Sequence, residues 1–77
     1  MSKLPNLSGK EIMKILVKDF GFEVARQKGD HVILRKFYDG KKAVTVVPLH
    51  TDVKTGTLLG ILEMAKISRE EFIGKAN

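Results

Sequence analysis

A chain of 77 residues with 43% hydrophobic and 30% charged residues supports a single domain with one modest core, burying roughly 60% of the unfolded surface, which excludes a large enclosing cleft. No apolar run approaches the ~20 residues of a membrane span, zero cysteines remove disulfides and thiolate metal sites, and Met1 to Leu7 lacks the apolar stretch of a secretory signal, which together favour the cytoplasm. Net charge is +5, and the segment from Arg26 to Lys54 carries seven Lys/Arg against three Asp, or +4 of that excess. Such a concentration suits a polyanion, nucleic acid first and an acidic protein second, although small basic proteins often bind nothing specific.

In chain order, Ser8-Gly9-Lys10-Glu11 fits a capping box and predicts a helix start. Ile12, Ile15, Leu16 and Phe20, widened by Met13 and Val17, form its buried stripe, and Gly21 supplies a left-handed stop. Lys10, Lys14 and Lys18 recur every fourth residue on the other side, a pattern more often a solvated face than a phosphate ridge. Phe22 to Arg26 alternates as a first strand, with Phe22 and Val24 sharing a face, and Gln27 to Asp30 is turn chemistry. His31 to Phe37 is the second strand, and Tyr38-Asp39-Gly40-Lys41 is a tight hairpin leading to a third strand from Ala43 to Val47. Pro48 ends that strand, and Leu49 to Val53 is a loop containing His50.

A helix restarts near Lys54 or Thr55, with Leu58, Ile61, Leu62 and Ala65 inward and Gly60 either loosening it or permitting close packing. Its start, Lys54-Thr55-Gly56-Thr57, suits a phosphate about as well as it suits ordinary threonine capping. Ser68-Arg69-Glu70-Glu71 repeats the capping box for a short last helix anchored by Phe72 and Ile73, with fraying expected beyond Gly74. The order is therefore α-β-β-β-α with a trailing helix: one α+β domain, its core about residues 8–73, with a three-stranded antiparallel sheet, both helices on one face and the other face open. Alternation leaves the buried face of the second strand undecided; placing Val32 and Leu34 inward puts His31 and Arg35 together outside.

The stretch from Arg26 to Arg35 carries the most chemistry, because His31 stands at a strand start between basic residues, just after a glycine turn. A lone histidine there is ordinarily a half-exposed residue with no task. The remaining motifs alter that balance. Leu7-Ser8-Gly9-Lys10-Glu11, Gly21-Phe22, Arg26-Gln27-Lys28-Gly29 leading to His31, Val46-Val47-Pro48-Leu49-His50, Gly56-Thr57-Leu58 with Ile61-Leu62, and Ile67-Ser68-Arg69-Glu70-Glu71-Phe72 occur in one order and spacing. Over nearly the whole chain this series resembles the HicA-type toxins, also described as YcfA-like proteins, which cleave messenger RNA in bacterial and archaeal toxin–antitoxin pairs.

The resemblance implies a double-stranded-RNA-binding-like fold, a catalytic histidine at the position of His31, no cofactor, and a HicB-type antitoxin that covers His31 and associates in a salt-sensitive way. The family motif is Gly-Ser-His, and this chain departs from it at Asp30, whose carboxylate can orient the ring and can also repel substrate phosphates. His50 matches a histidine often present in the family. Metal-free RNA hydrolysis needs a base for the 2′-hydroxyl, positive charge at the phosphate and an acid for the leaving oxygen. His31 fits the base, Arg35 on the same side of the strand fits the charge, Arg26, Lys28 and Lys54 fit RNA binding, and His50 is a possible second acid or base. Two histidines and scattered aspartates make no clustered metal ligand set. The rival readings are a non-catalytic module that binds duplex RNA, whose usual lysine cluster is represented only by Lys54, and an interaction protein whose basic face meets an acidic partner.

Overall fold

The computed structural model describes residue 4 and residues 6–76. What the sequence suggested about a signal segment at residues 1–3 and 5 lies outside the described residues. Helix α1 (Gly9–Phe20) begins at the expected capping box: the Ser8 hydroxyl accepts from the Glu11 N–H at 3.1 Å, and the Glu11 carboxylate accepts from the Ser8 N–H at 2.9 Å. Gly21, at φ 75°, turns the chain out of the helix, a conformation that costs glycine little. Ile12 and Leu16 are fully buried, whereas Val17, expected in the stripe, is 40% exposed. Three apolar positions per two turns suffice to seat this helix, and Val17 falls past the edge of that stripe.

Strands β1 (Glu23–Lys28), β2 (His31–Tyr38) and β3 (Lys41–Pro48) form one antiparallel sheet in the order β1-β2-β3. Both hairpins are tighter than the sequence suggested. Gly29, at φ 62°, and Asp30 alone close the first turn, so β1 starts one residue later and runs two residues further than the expected Phe22 to Arg26. Asp39 and Gly40, at φ 46° and 72°, close the second, so Tyr38 pairs with Lys41 and His31 with Pro48. Pro48 closes the ladder from inside β3, at the last position of an edge strand, where a missing N–H is tolerated. A register shift between Val24 and Arg26 bulges β1, a device that twists an edge strand away from unwanted pairing.

Val32, Leu34, Ala43, Thr45 and Val47 face the helices and are buried. Period-two alternation then sends His31, Ile33, Arg35 and Phe37 to the open face, as placing Val32 and Leu34 inward requires. Buried Thr45 satisfies its hydroxyl by donating to the Ile61 carbonyl of α2 (Thr55–Ala65) at 2.8 Å. In α2, Leu58, Ile61, Leu62 and Ala65 are all buried. Its N-cap is Lys54, with no side-chain cap, so threonine capping, one of the two alternatives for this start, is absent; Thr55 is already the first helical residue. Helix α3 (Arg69–Ala76) starts on a second complete capping box and continues past Gly74, with Ala76 packed on the core, where fraying was expected. Phe72 is fully buried and stacks on Phe20 at 6.4 Å between centroids.

In both boxes the serine N–H, and then its hydroxyl, hold the glutamate carboxyl below its ordinary range. A depressed carboxyl stabilises the fold above its unfolded pKa, and this contribution is lost as pH falls through the lowered folded value.

Gly60 of α2 is exposed, and a Cβ there would meet nothing within 4 Å, so it permits no close packing and only loosens the helix. Gly60→Ala should raise stability by about 0.5–1 kcal/mol, read as a higher midpoint in urea at unchanged slope; a lower midpoint would count against this account.

Candidate functional site

The site is assembled where the turn before β2 meets the end of β3. Asp30 takes the second place of the Gly29-Asp30 turn, and its carbonyl accepts from the Leu49 N–H at 2.6 Å. That bond extends the β2–β3 ladder one step beyond His31 and Pro48 and pins the start of the following loop. The Gly9 N–H donates to the His50 carbonyl at 2.8 Å, and the Val53 N–H to the Leu7 carbonyl at 3.0 Å, so the loop is also fastened to the entrance of α1. Three elements thus meet around His50, although it lies in a loop.

The Asp30 carboxylate stands between the two histidines. Its Oδ1 lies 3.0 Å from His31 Nδ1, and its Oδ2 lies 3.4 Å from His50 Nε2. The three side chains are 56–59% exposed, so they face solvent and a long polymer can reach them. Beside His50, a shallow cleft of about 430 Å³ is lined by Ser8, Lys10, Leu49, His50 and Thr51. Among the described residues no group of three or more His, Cys, Asp or Glu is placed to hold a metal ion.

The cations sort by register. Lys28 pairs directly with His31 across β1 and β2, which puts their Cβ atoms about 5 Å apart on the open face. Arg26 pairs with Ile33, one diagonal step away, at about 7–8 Å by the same geometry. Arg35, the expected charge partner of His31, is four residues along β2, which at ~3.3 Å per residue is about 13 Å away. Its guanidinium is engaged with Glu23 at 3.0 Å and lies 5.7 Å from the Phe37 ring centroid. The structure therefore brings Lys28 and Arg26 to His31 and keeps Arg35 apart. Lys54 is held by Asp52 at 3.2 Å at the start of α2.

The basic middle segment does not form one face. Lys36 points to the helix side, 5.9 Å from both the Phe22 and Tyr38 ring centroids, and Lys41 shares that side through its pairing with Tyr38. Arg26, Lys28, Arg35 and Lys42 remain on the open face, around Ile33, Val44 and Val46.

Two site features escaped the sequence reading: Asp30 as a bridge between the histidines, and Lys10 beside His50. The first had a signal. Counting outward from the two-residue turn at Asp39-Gly40 puts Pro48 opposite His31, and hence His50 within reach of Asp30. The second had none, because Lys10 meets the loop only through tertiary packing.

The family model for the HicA toxin of bacterial toxin–antitoxin systems matches residues 9–67, about three quarters of the chain. The chain belongs to the HicA toxin family. Comparison with curated proteins finds no match, and comparison with solved structures finds none either. As a HicA-family toxin the chain has an antitoxin as its counterpart. The matched span runs from the first residue of α1 through α2 and includes Lys28, Asp30, His31 and His50, whereas α3 lies beyond it.

Proposed function

We propose that this HicA-family toxin is a metal-independent endoribonuclease acting on messenger RNA, with His31 as general base. The observation that carries this reading is the exposed imidazole of His31 on the central strand, oriented by a carboxylate on one side and faced by Lys28 on the other. A general base must be reachable by its substrate and held in one orientation, and cleavage of a phosphodiester needs positive charge at the phosphorus. A neutral imidazole keeps one ring nitrogen with a free lone pair, which is what a proton acceptor needs. His31 takes the 2′-hydroxyl proton, the 2′-oxygen attacks the adjacent phosphorus, and the bond to the 5′-oxygen breaks. Lys28, with Arg26 one step out, stabilises the charge that develops on the phosphoryl oxygens. His50 serves as the acid for the leaving oxygen when it enters the step as imidazolium.

The open sheet face also fits a HicB-type antitoxin. Ile33, Val44 and Val46 offer an apolar centre, Arg26, Lys28, Arg35 and Lys42 a basic rim, and a partner seated there covers His31. Charge complementarity of this kind accelerates association and is weakened by salt.

Incubating the purified protein with end-labelled single-stranded RNA tests both parts. Products should end in a 2′,3′-cyclic phosphate and begin with a 5′-hydroxyl, chelator should have no effect, and antitoxin should stop cleavage more slowly as salt is raised. Intact RNA, loss of activity on chelation, or cleavage of a fully 2′-O-methylated strand would each overturn the nuclease reading. Duplex RNA bound but left uncut would favour the non-catalytic module.

A further inference from the structure

The two histidines present different nitrogens to Asp30: Nδ1 of His31 and Nε2 of His50. Both are ion-pair distances, and beside a carboxylate, which can only accept, a ring nitrogen is favoured in its N–H form over its lone-pair form. A neutral imidazole has one N–H, which leaves the lone pair of His31 on Nε2 and that of His50 on Nδ1. The side chain that does this belongs to a turn fastened by its own backbone, through the bond from the Leu49 N–H to the Asp30 carbonyl. The turn that carries the carboxylate is therefore fixed, and from it the two oxygens face a histidine of β2 and a histidine of the following loop.

We infer that Asp30 is a positioning residue that selects Nε2 of His31 as the basic nitrogen and holds His50 in register with it. This deepens the proposed function and rests on it for its kinetic consequence, but not for its structural one. With Nδ1–H tied to the carboxylate, Nε2 points away from Asp30 and receives the 2′-hydroxyl proton, and the carboxylate then stabilises the imidazolium that results. With Nε2–H of His50 facing the second oxygen, Nδ1 of His50 is the nitrogen left to meet the leaving oxygen, and it delivers a proton there from the imidazolium form, in which both ring nitrogens carry one. The carboxylate also carries a cost, since its negative charge repels the RNA backbone. Orientation and repulsion make opposite predictions for turnover and for binding, which separates a positioning role from a merely structural one.

Nitrogen-15 spectra of the imidazoles, taken on the intact protein at a pH where both rings are neutral, read the tautomers without any substrate. His31 should be in the Nδ1–H form, which an unconstrained imidazole disfavours, and in Asp30→Ala it should revert to mostly Nε2–H. The Asp30 side chain is 59% exposed, and the turn bond is made by its backbone, so the variant should fold, as a thermal melt will check. In RNA cleavage Asp30→Ala should lower kcat roughly tenfold to a hundredfold, short of the ~10⁴ seen where an orienting carboxylate is buried, while KM stays level or falls. Asp30→Asn, with one accepting oxygen, can accept from only one ring N–H, its amide group offering the other ring a donor instead, and should recover part of that loss. An Nε2–H His31 in the unaltered protein, a tautomer unchanged in Asp30→Ala, or a raised KM with unchanged kcat would overturn the inference. Failure of the nuclease reading looks different: His31→Ala would then leave cleavage undiminished, although the tautomers still depend on Asp30.

Discussion

Replacing His31 by Ala should slow RNA cleavage by roughly two to four orders of magnitude, the usual worth of a positioned general base, while the thermal unfolding temperature hardly moves. Both halves follow from the same placement. The imidazole is 56% exposed and lies 3.0 Å from the equally exposed Asp30 carboxylate, so its loss opens no cavity and strands no buried polar group. Backbone pairing with Lys28 and Pro48 survives truncation at Cβ. His31→Gln keeps a polar side chain of similar reach without a titrating nitrogen and should be nearly as inactive. Single-turnover cleavage with a labelled oligonucleotide measures the effect on the chemical step directly. A variant that cleaves at the original rate would remove His31 from the mechanism; one that loses activity together with its melting transition would show that the residue is structural.

Much of the architecture was legible in the sequence because local signals agreed with one another. Ser8 with Glu11, Gly21, and Asp39-Gly40 each have a physical reason to end or begin an element, and the alternation through Val32 and Leu34 matched the sheet. The misplaced boundaries share one cause. Turn chemistry spreads over four residues, but the backbone needs only two in special conformations, so Lys28 and Lys41 belong to strands. One of the two matters to the site: extending β1 to Lys28 is what sets an ammonium opposite His31.

Sequence proximity misled for Arg35. It shares a strand and a face with His31, yet an extended chain carries it about 13 Å away, to Glu23. His50 illustrates the reverse: 19 positions from His31 in the chain, it meets the same carboxylate because β3 returns antiparallel to β2. The split of Lys36 and Lys41 from the open face shows why charge counted along a segment is not charge on a surface. Strand alternation divides such a segment between two faces before any partner is met.

Gly9→Ala should be the most destabilising single change at this site, although alanine is the better helix former. Propensity favours the substitution by about 1 kcal/mol, and at Gly60 that term decides the sign. At Gly9 the added methyl would overlap the Pro48 carbonyl oxygen and press on the Leu49 Cα, both backbone atoms that no rotamer change can move aside. The close approach exists because the Gly9 N–H donates to the His50 carbonyl, so α1 enters almost in contact with the end of β3. Relief requires the entrance of α1 and the loop after β3 to separate, which strains that hydrogen bond and the packing of buried Ile12 and Val47. Overpacking against atoms that can shift costs ~1–3 kcal/mol, and backbone on both sides places this substitution at the upper end or beyond it. Chemical denaturation should show the midpoint falling by a corresponding amount. The same displacement carries His50 away from Asp30, so a Gly9→Ala protein still folded at low temperature should lose nitrogen-15 evidence for His50 ordering while His31, held by its own strand, keeps its Nδ1–H form. A variant as stable as the original would mean that the approach of α1 to Pro48 is looser than described, and both parts of this prediction would fail together.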